Sequence, residues 1–221
     1  MSLIAWYKLD GNTNDSSGNN NDATAYGGLT YADGKIGTCG NFDGTDDYVW
    51  KEHQIANNTS FTLACWIKTS ETFTYAAGII SFSYDPVVVM QTNGKIRAWW
   101  HTGSSYPGIV STTVCNDGKF HHIAMTYDNV EKIVRLYIDG VQEASLTTSY
   151  VTIYPGLEIG REKNNGPKHF KGLIDDARFY DHCLSAKEVY ELSRAKVLHY
   201  KFDDFQEPTE NLATGKQITV D

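Results

Sequence analysis

The chain is divided into short apolar runs closed by Asx-Gly pairs, and this punctuation limits what it can fold into more than any other feature. FTLACWIK, GIISFSY, VVVMQT, KIRAWW, FHHIAMTYD, IVRLYIDG and LEIG are rich in β-branched and aromatic residues and end in turn formers. Asn93-Gly94, Asp117-Gly118 and Asp139-Gly140 carry hairpin or tight-turn chemistry, because Asn, Asp and Gly tolerate positive φ. Asn93-Gly94 is expected to join VVVMQT to KIRAWW, and Asp139-Gly140 to join IVRLYI to VQEASL. Tight hairpins pair their strands antiparallel. About a dozen such strands at this spacing imply an all-β, antiparallel jelly-roll β-sandwich. One short C-terminal helix is expected after Leu184, where Ser185 and Glu188 have the spacing of a capping box and Leu184 and Val189 that of a hydrophobic staple. It is expected to pack on the sandwich edge.

At 221 residues the chain suits one large sandwich or two small domains, and it can bury most of its apolar surface without covalent staples. Its 14 Tyr and 5 Trp fill sheets in the ordinary case and also leave candidates for stacking on sugars. A formal net charge of -8 repels phosphate and argues against a nucleic-acid partner. No apolar run reaches the roughly 18 residues of a membrane span. The opening MSLIAWYKLD lacks the basic start and apolar run of a signal peptide, so the sequence reads as a fragment of a larger protein. Cys39, Cys65, Cys115 and Cys183 form no CxxC pair and have no zinc-site spacing. They are expected to be free, packed thiols, with a disulfide as the alternative.

The tail repeats the head. Leu198-His199-Tyr200-Lys201-Phe202-Asp203 resembles Ile4-Ala5-Trp6-Tyr7-Lys8-Leu9-Asp10 in its order of apolar, aromatic, Lys and Asp positions. Residues 3–195 are therefore read as one sandwich, and residues 196–221 as a linker and the start of a second module. The alternatives are a terminal strand that pairs with the first domain, and chance.

Several segments taken together resemble a known family. IAWYKLDGNTNDSSGNNNDATAYGG and TCGNFDGTDDYV are similar to the opening strands and Asx/Gly loop of laminin-G-like domains of the concanavalin A-like lectin/glucanase superfamily. SFTLACWIK, FHHIAMTYD, RLYIDGVQEAS and LEIGRE follow in the family's order, and FKGLIDDARFYDHCLSAKEVYEL looks like its closing strand and helix. The resemblance covers about residues 3–195 and implies the fold; function lives in the site and not the scaffold. Cys39, Cys65 and Cys183 stand where such domains commonly carry Ala or another small residue, which favours packed thiols over a bridge. EPTENLATG resembles connectors of viral tail and other modular structural proteins, which implies a virion-associated (tail-like) setting as well as an extracellular or cell-surface one.

The candidate chemistry lies in four places. Asp10, Asn12, Asn14, Asp15, Asn19, Asn20 and Asp22 crowd the first loop with oxygen donors of the kind Ca²⁺ takes, although they also serve as turn formers. The resemblance implies that the first and last strands lie side by side, which would bring Asp175 or Asp176 to this loop; the expected calcium ligands are Asp10, Asp15 and Asp176. Asp43, Asp46 and Asp47 form a second acidic cluster, read first as a turn. His121 and His122 are neighbours on a strand and point to opposite faces, so they cannot chelate one ion; one is expected packed and the other exposed.

The fourth place is KIRAWWH. Its alternation sets Ile96, Ala98 and Trp100 on one face and Arg97, Trp99 and His101 on the other. With the first set in the core, the second forms an outward sugar platform, with Tyr106 at its rim. Catalysis is not expected. Relatives that hydrolyse glycans carry Glu-x-Asp-x-x-Glu or a near variant, whereas Glu158 and Glu162 are separated by Ile-Gly-Arg. No GxSxG or P-loop is present. The sequence thus reads as a non-catalytic recognition module for a glycan or glycosylated surface, joined to other modules of one polypeptide, with a role in adhesion. A purely structural or protein-binding module and a glycoside hydrolase with an unrecognised site are the rivals.

Overall fold

The computed structural model describes residues 2–163 and 168–194. The expected end of the sandwich at residue 195 and the linker and second module of residues 196–221 lie outside the described residues. The strands are β1 (Leu3–Tyr7), β2 (Thr24–Tyr26), β3 (Thr30–Asp33), β4 (Thr38–Asp43), β5 (Tyr48–Lys51), β6 (Phe61–Lys68), β7 (Ala77–Ser81), β8 (Val87–Met90) and β9 (Lys95–Trp99). They continue as β10 (Gly108–Val114), β11 (Phe120–Asp128), β12 (Ile133–Ile138), β13 (Val141–Thr147), β14 (Leu157–Ile159), β15 (Arg161–Glu162), β16 (Lys168–His169) and β17 (Lys171–Tyr180), followed by helix α1 (Ala186–Leu192).

Two antiparallel sheets face each other in the expected jelly-roll sandwich. The 8-stranded sheet runs β13-β12-β11-β6-β17-β4-β3, with β1 also on β17; the 7-stranded sheet runs β10-β9-β8-β7-β14-β5-β2. β1 pairs the Ala177–Tyr180 half of β17 and β4 pairs the Lys171–Ile174 half. The handover falls at Asp175–Asp176, where the register against β6 shifts and Asp176 takes φ 52. Both expected hairpins form, β8 with β9 and β12 with β13. The second turns on Asp139 at φ 52 and Gly140 at φ 81, the two left-handed residues that a tight hairpin needs.

Strand alternation builds the core. Phe61, Leu63, Cys65 and Ile67 of β6 and Ile123, Met125 and Tyr127 of β11 meet Val88, Met90, Ile96, Ala98 and Trp100 of the other sheet. Trp100 is fully buried, and its indole N–H donates to Thr148 Oγ1 at 3.0 Å. All four cysteines are free, with Cys39, Cys65 and Cys115 buried. Burial pushes the Cys39 and Cys115 thiols up to about 12, so neither is a thiolate at neutral pH. No helix among the described residues is long and apolar enough to cross a membrane.

Two expectations need correction here. The helix has its capping box, with Ser185 and Glu188 each bonded to the other's backbone N–H, but it is not confined to the sandwich edge: it touches the edge strand β13 and reaches inward from there. Leu184 and Val189 pack with Ala64, Ala124, Tyr137 and Tyr180 on the outer face of the 8-stranded sheet, where the two alanines leave room for it. The histidine pair is not one packed and one exposed residue; both are buried. His122 lies edge-on to Trp66 at 5.2 Å, and burial pushes its imidazole down to about 3. His121 is held between Asp139 at 2.8 Å and Asp117 at 3.1 Å, and these carboxylates, Asp139 foremost, raise its pKa against the effect of burial.

Candidate functional site

The outer face of the 7-stranded sheet carries the first candidate. In β9 the alternation holds: Ile96, Ala98 and Trp100 are buried, while Arg97 and Trp99 are half-buried on the outer side. β8 lies beside them, with Val89 opposite Arg97 and Val87 opposite Trp99. The loop after β9 brings Tyr106 back over this face. Its ring stands edge-on to Trp99 at 5.7 Å and stacks on His101 at 4.6 Å. The other side of the site is a feature the sequence did not reveal, the small hairpin of β15 and β16 folded across the sheet over β7. Gly78 permits this approach: a Cβ there would lie 2.1 Å from the Arg161 carbonyl carbon.

Between hairpin and loop lies a cleft of about 430 Å³, lined by Ala76, Val89, Gln91, Arg97, Trp99, Tyr106, Glu162 and Lys168. This size lies within the usual range of small-ligand pockets. Arg97, Trp99 and Tyr106 therefore line one cleft as the sequence suggested. His101 does not line it and instead braces the Tyr106 ring. Glu162 and Lys168, which the sequence reading left out, face each other across the hairpin as a 3.0 Å ion pair. Glu158, four residues before Glu162, is fully buried outside the cleft and ion-paired to Arg161 at 2.5 Å and Lys163 at 3.5 Å.

The three expected calcium ligands do not all come together. Asp10 and Asp176 line a narrow cleft on the outer face of the 8-stranded sheet, with Trp6, Lys8, Ile36, Asp175 and Arg178. Asp176 is ion-paired to Arg178 at 3.0 Å and accepts the Trp6 indole N–H. Asp10 accepts the Thr38 N–H at 2.7 Å. Asp15 stands apart, because the chain turns on it: its carboxylate accepts the backbone N–H groups of Trp6, Ser17 and Asn21 and the Ser17 hydroxyl. Burial pushes its pKa up, but these hydrogen bonds outweigh it and hold the pKa low. Among the described residues, the acidic group whose ligand atoms all lie within 4.8 Å of one another is Asp43, Asp46 and Asp47. There Asp43 caps the N–H of Thr45 at 2.7 Å and Asp47 accepts the Asp43 N–H at 3.0 Å, the bonds of a turn.

Comparison with known proteins places the fold. Over 169 residues the chain is 27% identical to the sushi, von Willebrand factor type A, EGF and pentraxin domain-containing protein 1 of Mus musculus. It is 27% identical over 174 residues to the protein of that name from Rattus norvegicus. Each match covers 68% of this chain and 5% of the relative, so the chain spans about one twentieth of the length of these curated relatives. Among solved structures, domain 4 of AbnA, an extracellular GH43 arabinanase from Geobacillus stearothermophilus in complex with arabinotriose, superposes with a TM-score of 0.72. That match has 23% identity and covers 87% of this chain and 98% of the other. The binding domain of Paraclostridial Mosquitocidal Protein 1 gives a TM-score of 0.72 at 14% identity, over 88% of this chain and 52% of that one. The botulinum neurotoxin serotype D ligand binding domain in complex with N-acetylneuraminic acid gives 0.70 at 16%, over 89% and 52%. Residues 43–190 match a laminin-G-like family directly, and with the sandwich described above they show that the chain belongs to the concanavalin A-like lectin/glucanases superfamily.

Proposed function

We propose that this chain is a non-catalytic recognition module that binds glycan in the cleft between β9, the Tyr106 loop and the β15–β16 hairpin. The observation that carries this reading is the pair of rings, Trp99 and Tyr106, set edge-on at 5.7 Å in a cleft that also offers the polar groups of Arg97, Gln91, Glu162 and Lys168. Aromatic faces stack on the C–H groups of a pyranose, and the polar rim bonds its hydroxyls. A glycosidase needs two free carboxylates about 5–10 Å apart. This cleft is lined by one, Glu162, and Lys168 already pairs with it, which supports a binding role over a hydrolytic one. Solved domains of this fold captured with arabinotriose and with N-acetylneuraminic acid are in keeping with the proposal. We place the module in a larger extracellular polypeptide, in keeping with relatives of which it matches 5% of the length.

A glycan array followed by affinity electrophoresis on the hits tests the reading. Stacking on one or two rings gives weak binding, in the millimolar to high-micromolar range, about 4–6 kcal/mol. Trp99→Ala is expected to abolish retention while leaving the melting temperature nearly unchanged. Full retention by that variant places the site elsewhere. An array without hits leaves the structural or protein-binding module as the reading.

A further inference from the structure

Arg97 is the unusual member of the cleft. Among the described residues, no hydrogen bond or ion pair holds its guanidinium, whereas the other charged groups facing the cleft, Glu162 and Lys168, satisfy each other at 3.0 Å. The Arg97 side chain is half-buried and lies against Gly108, where an added Cβ would come 3.0 Å from its Nε. The cleft therefore holds one uncompensated positive charge beside the Trp99 ring, in a chain whose formal net charge is -8.

A planar guanidinium presents a fork of N–H donors that matches a carboxylate two bonds at a time. Half-burial strengthens such a pair relative to one in open water. The acidic surface at large repels densely charged polymers, so the site suits a ligand that brings one negative charge and otherwise presents hydroxyls and C–H faces. We infer that the cleft selects sugars bearing a single carboxylate, with that group on Arg97 and the adjoining ring on Trp99. This rests on the glycan-binding reading above and adds the ligand class to it. Terminal uronic acids and sialic acids both supply that chemistry.

The test measures dissociation constants by ligand-observed NMR for a glucuronate-terminated trisaccharide, sialyllactose, the carboxyl-reduced form of each, and a sulfated neutral trisaccharide. The wild-type chain is expected to bind at least one acid ten-fold or more tighter than its carboxyl-reduced form. Arg97→Gln is expected to bring the acid down to the affinity of the reduced sugar, and Trp99→Ala to weaken both. The identity of the preferred acid separates the two sources. Equal affinity for acid and reduced sugar, a preference that survives Arg97→Gln, or tighter binding of the sulfated sugar overturns the inference. If Trp99→Ala still weakens binding in those cases, the glycan site stands without the acid preference. Binding that ignores Trp99, or no binding of any probe, overturns both.

Discussion

Trp66 and Trp99 make the same local choice and meet opposite fates. Each alternates outward from a strand whose neighbouring residues enter the core. On the 8-stranded sheet Trp66 is covered to 4% exposure by the His122 ring and by Lys35, whose Nζ lies 4.6 Å from the ring centre. Beside it Asp176 and Arg178 neutralise each other, and α1 closes more of the same face. On the 7-stranded sheet Trp99 stays half-exposed, and among the described residues its neighbour Arg97 has no counter-charge. An outward aromatic with charges around it becomes part of the scaffold when the charges pair off among themselves. It stays open to a ligand, on the reading proposed above, where one charge is left over.

Three measurements can break or sharpen this contrast. The largest effect is expected from the tryptophans themselves. In urea denaturation, Trp66→Ala should cost about 3–5 kcal/mol, the usual loss for a buried Trp. Trp99→Ala should cost less than about 1 kcal/mol. Equal losses would mean that the two faces do not differ in kind.

The next effect belongs to Asp175, opposite Trp66 in the sheet. Burial first, and then the charges of Asp176 and Asp10, push its carboxyl up from 3.8 to about 7. The folded chain therefore keeps a proton that the unfolded chain releases, so this contribution to stability is complete below about pH 4 and is lost as pH rises through about 7. Asp175→Asn should match the wild type near pH 4 and exceed it near pH 8 by on the order of 2 kcal/mol. Asp85, also pushed up to about 7, titrates in the same window in both proteins, so the difference between them is the readout. A constant difference across that range would refute the assignment. The smallest effect is expected at Asp15. If its carboxylate serves only the turn, Asp15→Asn should cost about 1–2 kcal/mol, and by the same amount in calcium and in EDTA. A loss that appears only in calcium would restore it as a metal ligand.

The parts of the molecule set by neighbours in sequence were legible before the structure. Alternation in KIRAWWH put Trp100 inside and Trp99 outside, and Asp139-Gly140 turned where it was expected to. What was missed depends on residues that meet from far apart. Glu162 and Lys168 reach the cleft because a hairpin crosses the sheet at Gly78, and nothing local to LEIGRE signals that crossing. One of His121 and His122 was expected exposed, because alternation describes only the faces of a strand, and even His121 at the strand end is buried. Asp117 and Asp139, read as turn residues alone, close over the strand end and bury it. Asp15 was grouped with Asp10 and Asp176 for a related reason: an Asp-rich loop looks the same whether its oxygens await a cation or already serve the loop's own N–H groups, as those of Asp15 do.

The hairpin over Gly78 also divides the sheet into unequal fields. Strands lie about 4.8 Å apart, so the stretch from β7 to the β10 edge measures roughly 14 Å across. One border of that field is the β10 edge, and the other is a fence of backbone that no rotamer change can lower. A long molecule cannot lie straight across the full width of this sheet, because the fence stands in its way at β7.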